Sequence, residues 1–204
     1  MNQLLIIGAS GHGKVVADIA KNVSYTDIAF LDDDENVKKC GQYEVIGKCS
    51  DTREHPSSDF FVAIGNSQIR ERIMNELKEQ GLTIVTLIHP DAVIAEDVEI
   101  GTGTCIMAGV VVNPGTSIGR GCIINTGASV DHDNSVGDFV HVSVGSHLAG
   151  TITLGAHTWI GAGAVVSNNV NICSNVTVGA GAAVIHDINA SGIYIGVPAK
   201  QMIE

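Results

Sequence analysis

Residues 118–142 read IGRGCIINTGASVDHDNSVGDFVHV, and this stretch decides the fold. An aliphatic residue returns at every sixth position, and the same spacing continues in both directions. The series holds without a skip from Ile88 to Val184, over seventeen positions. Neither an α-helix, with a period of 3.6, nor a strand, with a period of 2, produces it. The pattern is typical of hexapeptide repeats, in which one short strand and one turn per six residues coil into a parallel β-helix.

Two other positions of the hexapeptide fit this interpretation. Glycine often follows the aliphatic residue, where it suits a corner that needs a positive φ or a close backbone approach. The position two residues before the aliphatic one is usually small or Val, so it packs the corner of a narrow prism. Three hexapeptides make one coil, and at ~4.8 Å per coil the series predicts a prism roughly 25 Å long.

Residues 1–86 follow a different pattern, in which apolar strands alternate with amphipathic helices. The sequence predicts a glycine-rich turn over 8–14, helices over 15–22 and 68–80, and strands over 3–7, 28–31, 60–64 and 82–87. This alternation predicts a small Rossmann-like α/β domain. The chain is therefore divided into that domain, a β-helix over 87–190 and a C-terminal tail over 191–204.

Composition excludes several functions. The net charge of −11 argues against a nucleic-acid partner, because phosphate binding needs clustered Lys and Arg. We find no signal peptide and no apolar run of about 18 residues, so no membrane span is expected. The five cysteines are odd in number and form no CxxC, which favours free thiols in a reducing compartment. A cytoplasmic location is expected.

The strongest candidate for catalysis is His132, which lies between Asp131 and Asp133. A neutral histidine is the usual general base for an attacking amine. An adjacent carboxylate fixes its tautomer and stabilises the imidazolium that forms. The alternative is a solvated corner histidine in an acidic loop.

The segment Gly8-Ala-Ser-Gly-His-Gly13 is the candidate for nucleotide binding. A glycine-rich turn before a helix N-terminus presents free N–H groups and a favourable dipole to phosphates. The spacing differs from the GxGxxG dinucleotide fingerprint, and the domain is too short for a full NAD fold. Arg70 begins the second helix beside this turn, and we expect it to pair with a diphosphate. A plain tight turn is the alternative.

The chain as a whole resembles the acyl-CoA-dependent hexapeptide acyltransferases, through the prism and the tail segment GVPAK at 196–200. The α/β domain, with FLDD at 30–33, is similar to the branch that holds bacterial sialic acid O-acetyltransferases and nucleotide-amino-sugar N-acetyltransferases. The segments AIGN at 63–66, INT at 124–126 and HVSVG at 141–145 look like those of UDP-4-amino-sugar N-acetyltransferases. Coils of known hexapeptide proteins wind left-handed, so the resemblance implies a left-handed parallel β-helix.

The resemblance implies a role for two histidines. His132 would be the base, supported by Asp133, which is one methylene shorter than the Glu of a close relative. His141 would lie beside the thioester of the cofactor. It follows His132 by half a coil, so the two meet only across a subunit boundary, as in a homotrimer with active sites between subunits.

The resemblance also implies binding residues for acetyl-CoA and for the nucleotide sugar. For acetyl-CoA these are His141, Gly150, Ala162, Ala180 and Lys200, the last of them near a phosphate. For the nucleotide sugar they are Ser10, Gly11, His12, Asp32, Asp33 and Gly65. Each has a plain alternative, such as a turn glycine, a corner alanine or a solvated lysine.

These expectations combine into an acetyl-CoA-dependent N-acetyltransferase that acts on the amino group of a UDP-linked 4-amino-deoxy sugar. Transfer would be direct, without an acyl-enzyme and without a metal. O-acetylation of sialic acid or another free sugar is the first alternative. A non-catalytic nucleotide-sugar-binding scaffold is the second. A metal-dependent hydratase is the third, because His141 and His147 are one hexapeptide apart.

Overall fold

The structure is a computed structural model that describes residues 2–202. The chain folds as two compact units that divide between Pro90 and Asp91. This division lies beyond residue 86 because the short strand Leu87–Ile88 contacts the first helix. Residues 1, 203 and 204, which belong to the first and last predicted segments, lie outside the described part. No helix among residues 2–202 is long and apolar enough to cross a membrane.

The first unit is built on one six-stranded sheet. Its strands are β1 Leu4–Ile7, β2 Ile28–Leu31, β3 Lys39–Cys40, β4 Tyr43–Gly47, β5 Asp59–Val62 and β6 Thr83–Ile84, and β7 is Leu87–Ile88. Their order is β3-β4-β2-β1-β5-β6, and neighbours are parallel except β3 and β4. The helices are α1 Gly11–Asn22, α2 Ser67–Glu79 and a 3₁₀ helix Cys49–Glu54. Parallel strands that alternate with helices confirm the predicted α/β class.

Helix α1 begins earlier than the sequence predicts. The pattern indicates a turn here and a helix from Val15, whereas the helix starts at Gly11. A β-carbon on Gly13 would lie 2.3 Å from the carbonyl oxygen of Gly8, so the first helical turn packs directly on the end of β1. Val15, expected on the apolar face, is 40% exposed.

Other parts of this unit also differ from the prediction. The predicted strand over 82–87 is two short strands, β6 and β7. Helix α2 buries Ile73 and Leu77 as expected, but Ile69 is 41% exposed. The β3–β4 pair and the 3₁₀ helix are absent from the prediction, because these short, largely exposed segments have no apolar periodicity.

The second unit is the predicted parallel β-helix. Strands β8 to β23 recur every six residues, and each ends on an aliphatic residue of the hexapeptide series. In turn they are Val93–Ile94, Glu99–Ile100, Cys105–Ile106, Val111–Val112, Ser117–Ile118, Ile123–Ile124, Ser129–Val130, Ser135–Val136, His141–Val142, His147–Leu148, Thr153–Leu154, Trp159–Ile160, Val165–Val166, Asn171–Ile172, Val176–Val178 and Ala183–Val184. Strands three apart pair in register, as Ile106 does with Ile124, so three strands make one coil.

Three sheets form the faces of this prism. The first face is β8-β11-β14-β17-β20-β23, the second is β9-β12-β15-β18-β21, and the third includes β10-β13-β16-β19-β22. The aliphatic strand ends fill the interior, where Ile124, Val142 and Ile160 are 0% exposed. The predicted C-terminal tail adds two strands to the third face, β24 Gly192–Ile195 and β25 Lys200–Gln201.

A second series of period six lies in the turns. The backbone has a positive φ at every sixth residue from Gly103 to Gly181. Glycine occupies most of these positions, and the exceptions are Asp133, Phe139, Thr151, His157, Asn169 and Asn175. The glycines that follow the aliphatic residues do not share this conformation. A β-carbon on Gly101 or Gly155 would lie 2.4 or 2.3 Å from a backbone nitrogen of the next coil, so close approach is the reason for glycine there.

Candidate active site

His132 and Asp133 lie in the turn that follows β14 on the first face. The Nδ1 atom of His132 is 2.8 Å from Oδ2 of Asp133. With the proton on Nδ1, this hydrogen bond leaves Nε2 with a lone pair for an incoming proton. Both side chains are more than half exposed, so a substrate can reach them.

The surroundings of His132 favour its protonated form. The hydrogen bond to Asp133 is the largest effect and raises the pKa of His132. Desolvation lowers this pKa by less, and the charges of Asp131 and Asp133 each raise it by a smaller amount. The pKa of Asp131 is lowered, first by a hydrogen bond from Asn113 and then by the backbone N–H of His132. The imidazole therefore has the electrostatics of a general base that is strengthened by carboxylates.

Polar bonds hold the turn before His132. The Nδ2 of Asn113 donates to Oδ1 of Asp131 at 2.7 Å, and the backbone N–H of His132 donates to the same oxygen at 2.9 Å. The carbonyl oxygen of Asp131 accepts from Oγ1 of Thr116 at 2.8 Å and from Nδ2 of Asn134 at 2.7 Å. The position of His132 is thus fixed by neighbours on the preceding coil as well as on its own.

Asn134 is a supporting residue that the sequence interpretation missed. Its side chain is buried, its Nδ2 also donates to the carbonyl of Ala149 at 2.9 Å, and its Oδ1 accepts from the N–H of Ile152 at 2.7 Å. It connects the His132 turn with the next coil. The signal was available, because Asn134 is the one asparagine at the small position two residues before an aliphatic residue of the series.

His141 lies on a different face from His132. It is in β16 on the third face, its ring is stacked on Trp159 at 5.8 Å between centroids, and its Nε2 is 3.2 Å from Nδ2 of Asn125. The indole N–H of Trp159 donates to Oγ of Ser143 at 2.6 Å. The sequence interpretation did not single out Trp159, although it follows His141 by one coil.

The predicted acetyl-CoA residues fall into two groups. Gly150 follows β17 on the first face and lies buried against the imidazole of His132. Ala162 and Ala180 are exposed and follow β19 and β22 on the third face, which also holds His141. Lys200 is exposed in β25.

The glycine-rich segment of the first unit surrounds the start of α1. Ser10 is the N-cap and makes no side-chain capping bond. Gly11 has an ordinary φ, and a β-carbon there would meet nothing within 4 Å, so neither conformation nor packing requires glycine. His12 is largely buried with no hydrogen-bond partner for Nε2. Burial, and then the charge of Arg70, lowers its pKa to about 4, so His12 is neutral near pH 7.

The two aspartates that follow β2 bond to the backbone. Oδ2 of Asp32 accepts from the N–H of Ala9 at 2.7 Å, which joins the glycine-rich segment to the end of β2. Oδ1 of Asp33 accepts from the N–H of Cys49 at 2.9 Å, at the start of the 3₁₀ helix. An open pocket of about 280 Å³ adjoins Asp32 and is lined in part by Lys38.

The position of Arg70 differs from the expectation that this side chain pairs with a diphosphate. The residue is 1% exposed, and its Nη1 donates to the carbonyls of Ile64 at 2.7 Å and Gly65 at 3.0 Å. Its guanidinium therefore holds the turn after β5 and does not extend into solvent as expected for a diphosphate ligand. Gly65 itself is exposed, and a β-carbon there would meet nothing within 4 Å.

Residues 2–202 contain no group of three or more His, Cys, Asp or Glu side chains placed to hold a metal ion. His147, the partner of His141 in the metal alternative, has its Nδ1 2.8 Å from Oγ of Ser129. All five cysteines are free.

Comparison with known proteins identifies similar chains. Residues 3–77 match the family described as the PglD N-terminal domain. The acetyltransferase domain of PglB from Neisseria gonorrhoeae FA1090, in complex with acetyl coenzyme A, is 39% identical with a TM-score of 0.93, over 98% of this chain and 99% of that one. A histidine variant of perosamine N-acetyltransferase from Caulobacter crescentus, in complex with CoA and GDP-perosamine, is 36% identical with a TM-score of 0.95, over 100% and 98%.

A relative found by sequence similarity is also an N-acetyltransferase. The UDP-N-acetylbacillosamine N-acetyltransferase of Bacillus subtilis (strain 168) is 35% identical over 113 residues, which are 53% of this chain. The match spans about half the length of the curated relatives. The predicted fold class, a small Rossmann-like α/β domain followed by a left-handed parallel β-helix, is confirmed. The chain belongs to the nucleotide-amino-sugar N-acetyltransferase family of hexapeptide-repeat acyltransferases.

Proposed function

We propose that this protein transfers the acetyl group of acetyl-CoA to the amino group of a nucleotide-linked sugar. The observation that carries the proposal is the His132–Asp133 pair, with Nδ1 bonded to the carboxylate and both side chains more than half exposed. A similar domain, 39% identical, has been solved with acetyl coenzyme A. A second relative has been solved with CoA and GDP-perosamine.

The chemistry follows from the pair. The sugar amine attacks the thioester carbonyl, a C–N bond forms, and the C–S bond breaks so that CoA leaves as a thiolate. Nε2 of His132 takes the proton that the amine loses, and Asp133 stabilises the imidazolium. The imidazolium then gives this proton to the thiolate, which releases the CoA thiol and restores neutral His132. No acyl-enzyme is needed. Burial raises the pKa of Cys105 to about 12, and burial with the Asp33 carboxylate does the same for Cys49, so these thiols are poor nucleophiles.

The acceptor sugar has a candidate recess beside His132. An open pocket of about 310 Å³ is lined by Asn113, Ser129, Asp131, His147 and the exposed Val165. Amide, hydroxyl, carboxylate and imidazole groups beside an apolar side chain suit a ring with several hydroxyls. We place the sugar ring here, beside Asp131, the residue that precedes His132.

The nucleotide has a candidate site in the first unit. Gly11 and Gly65 leave open space where a β-carbon would lie, and the N-terminus of α1 offers N–H groups to phosphate. His12 is neutral, so it serves as a hydrogen-bond partner and not as a counter-ion. We propose that Ser10, Gly11 and Gly65 contact the nucleotide sugar, that Asp32 and Asp33 face its ribose or base, and that Arg70 supports the Gly65 turn. The proposed nucleotide is UDP and the sugar a 4-amino-deoxy sugar.

A homotrimer would complete the site. Within one chain, His132 and His141 lie on different faces, so a site that uses both needs a second subunit. Val144 and Trp159, next to His141, are each about half exposed, as expected for surface that a neighbouring subunit covers. We propose that acetyl-CoA lies in this groove along Gly150, Ala162 and Ala180, with Lys200 near a phosphate. The proposed location is the cytoplasm.

The test is acetyl-CoA turnover, followed by thiol release, with a panel of acceptors. The panel contains UDP-4-amino-4,6-dideoxy-N-acetylglucosamine, GDP-perosamine, a free amino sugar and sialic acid, and a reaction without acceptor gives the background. Release with the UDP sugar supports the full proposal, and release with the GDP sugar alone corrects the nucleotide. Release only with sialic acid establishes O-acetylation. No release with any acceptor, together with binding of the nucleotide sugar, establishes a scaffold.

A further inference from the structure

Two glycines lie directly against the His132–Asp133 pair. A β-carbon on Gly150 would be 2.5 Å from both Cε1 and Nε2 of His132, and 3.1 Å from Cδ2. A β-carbon on Gly115 would be 2.5 Å from Oδ1 of Asp133 and 3.4 Å from its Cγ. Real β-carbons do not come within 3.0 Å of such atoms, so any larger residue at either position displaces the imidazole or the carboxylate.

Other glycines of the β-helix have different surroundings. A β-carbon on Gly155 or Gly161 would meet backbone atoms of the next coil, which explains those glycines by coil packing alone. A β-carbon on Gly109 would meet only Gly127, at 3.9 Å, which is an ordinary contact. At Gly115 and Gly150, by contrast, the nearest atoms belong to the two candidate catalytic side chains.

Both glycines are held in place by bonds from their neighbours. Thr116, next to Gly115, donates to the carbonyl of Asp131 at 2.8 Å. Asn134 donates to the carbonyl of Ala149, the residue before Gly150, at 2.9 Å. The N–H of Thr151, the residue after Gly150, donates to the carbonyl of His132 at 2.9 Å. Hydrogen bonds therefore tie the backbone beside each glycine to the turn that carries His132.

We propose that Gly115 and Gly150 are positioning residues that together fix the His132–Asp133 pair for proton transfer. Gly150 provides the surface on which the imidazole lies, and Gly115 provides the room in which the carboxylate turns toward Nδ1. A methyl group at either position would push the ring and the carboxylate apart. The expected loss of kcat rests on the proposed function, whereas the expected displacement of the two side chains does not.

The test compares Gly115→Ala and Gly150→Ala with the control Gly109→Ala. Gly109 lies one hexapeptide before Gly115, and its φ of +69° is close to the +72° of Gly115. Alanine at 109 therefore has the same backbone strain as alanine at 115 but does not contact Asp133. Steady-state kinetics give kcat and KM, and NMR follows the titration of the His132 ring. The resonance is assigned by its loss in His132→Gln.

We expect both test variants to lose roughly 10- to 100-fold in kcat, the range for an ångström-scale misplacement. In Gly115→Ala, which changes no proposed cofactor contact, KM for acetyl-CoA stays unchanged. The pKa of His132 falls in both variants, because the displaced pair loses the hydrogen bond to Asp133 that raises this pKa in the native protein. The charge of Asp131 also raises the pKa of His132. Gly109→Ala keeps the native kcat and titration.

A kcat and a His132 titration that match Gly109→Ala in both test variants would overturn the proposal. The NMR titration needs no acceptor, so a native protein that transfers no acetyl group refutes the proposed function and still leaves the positioning role testable. Gly150 has an ordinary φ, so its backbone accepts alanine, and this variant decides the matter if Gly115→Ala does not fold.

Discussion

Asp133 holds the imidazole of His132 from a left-handed backbone conformation. Its Oδ2 lies 2.8 Å from Nδ1 of His132, and its φ is +56°. The position belongs to the turn series that glycine mostly occupies, and Asp is among the few other residues that tolerate this conformation. The hexapeptide repeat thus provides the left-handed turn, and Asp133, in a position that is usually glycine, provides the carboxylate.

Loss of the base is expected to lower the rate with little effect on binding. We predict that His132→Gln lowers kcat by about 10²- to 10⁴-fold, the range for general-base catalysis, because the change removes the proposed acceptor of the amine proton. The measurement is steady-state thiol release. His186→Gln, an exposed histidine outside the proposed site, is the control. A normal kcat in His132→Gln refutes the assignment.

Asp133→Asn is predicted to move the pH profile. Only neutral His132 accepts a proton, so activity falls on the acid side of its pKa. The carboxylate of Asp133 is the largest cause that raises this pKa, so its removal shifts the acid limb of kcat/KM to lower pH and also lowers kcat. Asn retains the left-handed turn, and circular dichroism checks the fold. An acid limb at the native pH would show that Asp133 does not act on the base.

Asn134→Ala is predicted to destabilise the β-helix. The change leaves the N–H of Ile152 and the carbonyl of Ala149 without their buried partner, and the carbonyl of Asp131 keeps only its bond from Thr116. A cost of roughly 1–3 kcal/mol in the free energy of unfolding is expected. Denaturant unfolding measures it, with Asn168→Ala at an exposed turn as the control. Equal stability of the two variants contradicts the supporting role.

His12 is predicted to make stability depend on pH. Its pKa is lowered from 6.5 to about 4 in the folded chain, so the unfolded chain binds a proton first as the pH falls. The free energy of unfolding should therefore decrease between pH 6.5 and 4, by roughly 3 kcal/mol at most. Denaturant unfolding at a series of pH values measures the slope. His12→Gln should reduce this slope, and an unchanged slope would contradict the burial argument.

His132→Ala and His141→Ala are each predicted to lose activity and to complement each other when mixed. If each site takes His132 from one subunit and His141 from the next, mixed trimers contain some sites with both native histidines. Refolding the variants together should then restore part of the activity, whereas mixing without subunit exchange should not. No recovery in demonstrably mixed trimers would contradict a site that takes the two histidines from different subunits.

The sequence predicted the β-helix residue by residue but the α/β unit only in outline. The aliphatic period of six is repeated in every coil, so each strand end from Ile94 to Val184 is where the series places it. In the first unit, the early start of α1 depends on the packing of Gly13 on Gly8, which no local pattern contains.

The part of the site formed by neighbours in the sequence was predictable, and the part formed by contacts between distant residues was not. His132 and Asp133 are adjacent in sequence, so their hydrogen bond is a local matter. The contacts of Gly115 with Asp133 and of Gly150 with His132 join residues 18 positions apart on successive coils. The burial of Arg70 depends on the turn after β5 and could not be read from its place on the helix.

The most direct test of the account is to measure one pKa in two ways on the same protein. The acid limb of kcat/KM gives the pKa of the essential base in the free enzyme, and NMR gives the pKa of His132. The account predicts that the two values coincide above the usual histidine value, and that Asp133→Asn lowers both together. An acid limb that differs from the His132 titration, or that stays in place when the titration moves, would contradict His132 as the general base.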